Sequence, residues 1–142
     1  MEEDKMTNEN CIFCKIVKGE IPAVKIWEDE RHIAVLDINP YCVGHMLIIP
    51  KEHSRWVWDI NNKDYIEYMK VVKSLANVLR KVFDTKWVEE VIAGMGVSHS
   101  HIHLLPRQEN DKLGEIPTKP LNPKLSEKEI KEIAEKIRRN IK

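Results

Sequence analysis

The chain has 142 residues, 42% apolar and 32% charged, which suits one domain with a sizeable core and excludes a low-hydrophobicity disordered chain. Lysine plus arginine equals aspartate plus glutamate at 23 each, so no global field favours a polyanion; bulk coating of nucleic acid is disfavoured, and affinity for phosphate has to be local. No unbroken apolar stretch is longer than Met46 to Ile49, far short of the roughly 20 residues of a membrane span.

Residues 1–10 are acidic and polar, without the apolar centre of a leader, and read as a flexible tail on a cytoplasmic protein. Ile12, Phe13, Ile16 and Val17 recur at helical spacing before Gly19, predicting a short helix that carries Cys11 and Cys14. Val24–Glu28 and Ile33–Asp37 flank the charged turn Asp29-Glu30-Arg31 and read as a β-hairpin. His45–Pro50 reads as a third strand. Asn61 or Asn62 caps a long helix, because Tyr65, Ile66, Met69, Val72, Ala76, Leu79, Val82 and Phe83 recur every three or four residues.

Trp87–Ala93 reads as a fourth strand, Gly94-Met95-Gly96 as a tight turn, and Ser98–Leu105 as a fifth strand closed by Pro106. Three of the seven prolines fall between Arg107 and Lys124, predicting an extended linker over 108–125. Ser126-Glu-Lys-Glu129 is a capping box, and Ile130, Ile133, Ala134, Ile137 and Ile141 form one stripe, predicting a helix over 126–142 that packs on the domain or on a second subunit. A hairpin-rich sheet with segregated helices is an α+β domain.

The chemistry concentrates at His99, His101 and His103. On a strand, residues i, i+2 and i+4 share a face, so three imidazoles line one side while Ile102 and Leu104 pack on the other. Neutral rings there each need a partner and charged rings repel, so a bland exposed face is the weaker reading. Two functional readings remain open: a nucleophilic imidazole flanked by anion-binding imidazoles, or a three-histidine catalytic metal site. Against the second, same-strand rings spread along about 13 Å, too far for one ion about 2 Å from each. Three cysteines cannot all pair, and Cys11-x-x-Cys14 in a reducing compartment points to metal or redox chemistry more than to a structural disulfide, with redox the weaker of the two because no β-strand precedes the pair. Two cysteines need two further ligands to close a tetrahedral zinc site, and the spacing alone does not name them. Cys42 reads as a small buried side chain.

His99-Ser-His-Ile-His-Leu-Leu105 resembles the His-x-His-x-His-x-x signature of the histidine-triad (HIT) family of nucleotide hydrolases and transferases. Cys11–Pro22, Trp27-Glu-Asp29, Ala34–Pro40 and Gly44–His53 resemble the family's N-terminal half in the same order, so the likeness spans about residues 11–107. It implies a HIT fold: a five-stranded antiparallel sheet with one long helix packed on it, a short N-terminal helix and here an added C-terminal one. It implies a Hint-like hydrolase in which His101 attacks the α-phosphorus of a purine nucleoside phosphoramidate or related AMP conjugate, forming a covalent nucleotidyl-histidine. A Fhit-like dinucleoside polyphosphate hydrolase and a non-catalytic nucleotide-binding protein are the alternatives. His103, His99 and His45 join His101 in the catalytic set, with His103 and His45 on the phosphate, Asp37 on the ribose and Phe13, Ile16, Ile21 and Ile38 around the base. The resemblance also implies a structural zinc on Cys11, Cys14, His53 and His99, no catalytic cofactor, and a homodimer through the long helix and fourth strand. The hydroxyl-bearing residue that many Hint members carry just before the triad is absent, with Met95-Gly96 at that place.

Overall fold

The computed structural model describes residues 10–141, so the tail expected over 1–10 lies, but for Asn10, outside the described residues. Helix α1 (Ile12–Val17) leads into strands β1 (Val24–Glu28), β2 (His32–Leu36) and β3 (Met46–Pro50). Then come helix α2 (Asn62–Val82), strands β4 (Val88–Val91) and β5 (Ile102–Pro106), and helix α3 (Glu127–Arg139). The strands form one antiparallel sheet in the order β1-β2-β3-β5-β4, giving the expected α+β architecture.

Local chemistry accounts for the elements. Asp29 Oδ1 accepts from the backbone N–H groups of Arg31 and His32 at 2.8 and 2.7 Å, folding the β1–β2 turn around one carboxylate. Asn61 caps α2 by accepting from Asp64 N–H at 2.9 Å. Both halves of the capping box form at the start of α3.

Pleating sends alternate residues to two cores. Ala34, Leu36, Met46, Ile48, Ile102 and Leu104 face α2 and α3, where Tyr68, Val72, Leu75, Leu79, Ala134 and Ile137 close the larger core. Ile33, Val35, Leu47 and Ile49 face α1 and pack on Cys11, Phe13 and Cys14. Tyr68 pins α2 to the sheet by donating to the Ile48 carbonyl at 2.5 Å. The edge of β1 is covered as well, since Arg138 of α3 donates to the Lys25 carbonyl at 2.5 and 2.8 Å.

Several boundaries differ from the sequence reading. The second strand runs His32–Leu36 rather than Ile33–Asp37, the third begins at Met46, and the fourth is trimmed to Val88–Val91. A short 3₁₀ turn at Val57–Asp59 lies before α2, where no periodic pattern marks it in the sequence. The largest correction concerns β5, which starts at Ile102 rather than Ser98. Its partner β3 ends at Pro50, which has no N–H to extend the ladder, and Ser100 N–H instead bonds the Ser54 carbonyl at 2.6 Å. His99 and His101 therefore precede the strand, and only His103 lies within it.

The segment after β5 is tied to the domain by Arg107, which is only 1% exposed. Its guanidinium stacks over Trp87 at 4.4 Å, pairs with Glu89 and Asp111, and donates to the carbonyls of Gly114 and Glu115. No helix among the described residues is long and apolar enough to cross a membrane.

Candidate active site

The side of the sheet beneath α1 gathers His45, His53, His99, His101 and His103, while His32 stacks on Tyr68 of α2 on the other side. Phe13 of α1 meets His101 edge-on at 4.9 Å and His99 at 6.1 Å between ring centres, and the rings of His101 and His103 lie 5.0 Å apart. The hydrogen-bond partners of His45, His99, His101 and His103 assign their tautomers.

His101 Nδ1–H donates to the carbonyl of His99 at 2.7 Å, so its Nε2 carries the lone pair. Burial lowers the pKa of this ring, opposed by that hydrogen bond and by the charge of Asp37, which favours the neutral form a nucleophile needs.

His45 sits at the entrance to β3, after Gly44, whose φ of +89° places it in the left-handed region. A Cβ on Gly44 would come within 2.5 Å of the Phe83 ring, so both backbone and packing demand glycine there. His45 Nδ1 accepts from the Tyr41 backbone N–H at 3.0 Å, which puts the ring proton on Nε2, 2.8 Å from His103 Nδ1. His103 must in turn carry its proton on Nε2. Burial pulls His45 down to about 4, and burial plus the neighbouring His45 and His101 pull His103 down to about 4, so both rings are neutral at pH 7. Asp37 completes the cluster with a carboxylate oxygen 3.7 Å from His45 Nε2, and burial raises its pKa.

His99 turns the other way. Its Nε2–H donates to the Pro50 carbonyl at 2.8 Å, leaving the Nδ1 lone pair 3.3 Å from each of the Cys11 and Cys14 sulfurs. His53 Nδ1 lies 3.2 Å from Cys14 Sγ and 3.1 Å from His99 Nδ1. These four donor atoms all fall within 4.8 Å of one another. Burial and the neighbouring Cys11 push the Cys14 thiol up to about 12.

Asp37, His45 and His103 also bring three donor atoms within 4.8 Å. The two clusters differ in how backbone atoms dispose the ring protons. A carbonyl on the far nitrogen of His99 frees its near nitrogen to ligate, whereas an N–H on the far nitrogen of His45 forces a proton onto the near one. The second cluster is arranged to donate protons, not to hold a metal. The three triad imidazoles do not converge on one point among the described residues; His99 belongs to the cysteine cluster and His103 to the aspartate cluster.

The expected base-pocket residues divide. Phe13 touches the rings, Ile16 packs beside it in the same core, Ile21 is half-buried, and Ile38 is 73% exposed. The residues that sequence reasoning missed act through backbone atoms: the Tyr41 N–H, the Pro50 carbonyl and the Ser54 carbonyl. Side-chain identity at those positions carries no signal for that role.

The HIT domain family model matches residues 18–110. The chain belongs to the HIT family. The HIT-like protein MJ0866 of Methanocaldococcus jannaschii, itself uncharacterised, is 41% identical over 125 residues, spanning 82% of this chain and 97% of that protein. The adenosine 5'-monophosphoramidase hnt1 of Schizosaccharomyces pombe is 35% identical over 137 residues, 94% of this HIT chain and 99% of that one. The crystal structure of a Zn-bound histidine triad family protein from Mycobacterium smegmatis superimposes with a TM-score of 0.76 at 29% identity, covering 94% of each chain.

Proposed function

We propose that this HIT protein is a nucleotide hydrolase acting on the α-phosphate of a purine nucleoside phosphoramidate or related AMP conjugate. The observation that carries the reading is the His101 tautomer: a proton parked on the His99 carbonyl and a lone pair on Nε2, in a ring that burial favours as neutral. The likeness to a fission-yeast adenosine 5'-monophosphoramidase supports the substrate class.

In this mechanism Nε2 of His101 attacks the α-phosphorus, a P–N bond forms, and the bond from phosphorus to the leaving amine breaks. Water then attacks the same phosphorus, releasing AMP and a proton to solvent and returning the electron pair to His101. The Nε2–H of His103, fixed by the Tyr41–His45 relay, donates a hydrogen bond to a phosphoryl oxygen as charge develops there and keeps its proton, while solvent protonates the departing amine. Of the neighbouring hydroxyls, Ser100 Oγ lies 2.8 Å from Ser54 Oγ, and Ser98 Oγ accepts from Arg55 at 2.8 Å. His45 acts through His103 in this reading. Asp37 holds the ribose hydroxyls, and Phe13, Ile16, Ile21 and Ile38 flank the base.

Cys11, Cys14, His53 and His99 fit zinc. Two sulfurs and two imidazole nitrogens are its usual closed set, and bonds of about 2.0 to 2.3 Å to a tetrahedral ion place donors about 3.3 to 3.8 Å apart. The four close pairs here, at 3.1 to 3.3 Å, need to open by only about a few tenths of an ångström. When bound, the ion supplies a cross-link between α1 and the two loops that carry the histidines. A two-fold dimer through α2 and β4 belongs to the same reading; it would cover Ile66, 53% exposed on α2, and Trp87, 36% exposed beside β4.

Mass spectrometry of protein quenched during turnover of adenosine phosphoramidate tests the proposal. One nucleotidyl group on His101 is expected, together with a His101→Gly variant that binds AMP and turns nothing over. Full activity in that variant overturns the mechanism, and turnover of dinucleoside polyphosphates alone moves the protein to the Fhit-like class.

A further inference from the structure

The cysteine–histidine cluster and the nucleophile share one residue. His99 presents Nδ1 to both sulfurs, while its own carbonyl accepts the Nδ1–H of His101 at 2.7 Å. A second connection runs through α1. Cys11 caps this helix by accepting from Cys14 N–H at 3.2 Å, and Phe13, between the two cysteines, packs edge-on against both His99 and His101. With six residues, α1 is too short to persist by its own hydrogen bonds, so its place depends on what its buried side chains grip.

We infer that Cys11 and Cys14 are positioning residues for His101: by holding a metal ion against His53 and His99, they fix the carbonyl that sets the His101 tautomer and the phenyl ring that orients it. This rests on the zinc and nucleophile readings above. His99 is then gripped at Nδ1 by ligation and at Nε2 by the Pro50 carbonyl, which prevents its peptide from turning away from His101. Without the ion, His99 keeps the Pro50 bond but is held to α1 only by weak thiol contacts and the edge of Phe13. The His101 proton can then move to Nε2, and that tautomer has no lone pair aimed at phosphorus. The same cluster thus governs chemistry without touching substrate.

Long-range proton–nitrogen NMR of the histidine rings reads the tautomer directly in zinc-loaded and metal-stripped protein, alongside kcat for adenosine phosphoramidate and calorimetric AMP binding. Loaded protein is expected to show a single Nδ1–H form of His101. Stripping should give mixed tautomers, a kcat lower by roughly tenfold or more and an AMP Kd changed by less than about threefold, all restored by added zinc. Cys11→Ser with Cys14→Ser should reproduce the stripped state, and His53→Cys, which keeps four ligands, should retain the loaded one. An unchanged tautomer on stripping overturns the inference. So does global unfolding by circular dichroism, because the ion then holds the whole fold and not one ring, and so does a chain that takes up no zinc. If loaded protein forms no adduct on His101, the hydrolase reading fails while the tautomer change survives. If the adduct forms equally fast with and without metal, the coupling fails and the hydrolase stands.

Discussion

The backbone N–H of Tyr41 points at Nδ1 of His45 from 3.0 Å, and this one bond sets the direction of proton donation through two rings. A peptide N–H cannot reverse its role, so His45 has to donate to His103 and His103 has to donate outward.

If His45 acts through His103 rather than on the phosphate itself, replacing it removes the group that orients His103 and leaves the His103 contact in place. His45→Ala is expected to lower kcat for a nucleoside phosphoramidate by about 10- to 100-fold and to leave AMP affinity nearly unchanged. Steady-state kinetics with calorimetric AMP titration measures both. A rise in KM with kcat preserved would show that His45 binds substrate directly.

The same two rings make stability depend on pH. His45 and His103 each have a folded pKa of about 4 against an ordinary 6.5. Above pH 6.5 they are neutral in both states and contribute no slope. Between 6.5 and 4 only the unfolded chain takes up the protons, so stability falls as pH falls through that window, by up to about 1.4 kcal/mol per pH unit for each ring, and levels off below it. Asp37, raised by burial, works in the opposite sense near the acid end. Urea unfolding from pH 7 to 4 should show the fall, with a shallower slope in His45→Gln; equal slopes would mean that the buried ring does not titrate as its surroundings require.

Gly44 places His45, and a side chain there has no room. Gly44→Ala is expected to destabilise the fold by about 1 to 3 kcal/mol, because it combines a positive φ with a Cβ against Phe83 and Pro106. The denaturant midpoint reports it. A midpoint unchanged from wild type would contradict the packing described.

Arg107→Met strands Glu89 and Asp111 and frees the carbonyls of Gly114 and Glu115. A loss of about 3 kcal/mol is expected from removing one partner of a buried ion pair. Hydrogen exchange should also speed up over 108–116, since Arg107 is what ties that segment to β4. A loss of stability without faster exchange there would assign the arginine to the core alone.

Much of the fold was legible along the chain. The stripe ending in Leu79 and Val82, the capping box at Ser126 and the β1–β2 hairpin are local patterns, and packing had only to agree with them. The alternation of His101 and His103 with Ile102 and Leu104 also assigned the two faces correctly, although the strand itself begins four residues later than the sequence suggests. The start of β5 was hidden because Pro50, far away in the chain, decides where its ladder ends.

By itself the sequence determined the side-chain inventory, the elements and the family, since these follow from residue type and spacing. Only the tertiary structure decided which nitrogen of His45, His99, His101 and His103 carries the proton, and hence which way each of those rings can donate or accept. The physical reason is that the deciding partners, the Tyr41 N–H and the carbonyls of Pro50 and His99, are backbone groups that nearly every residue carries. Folding alone aims them.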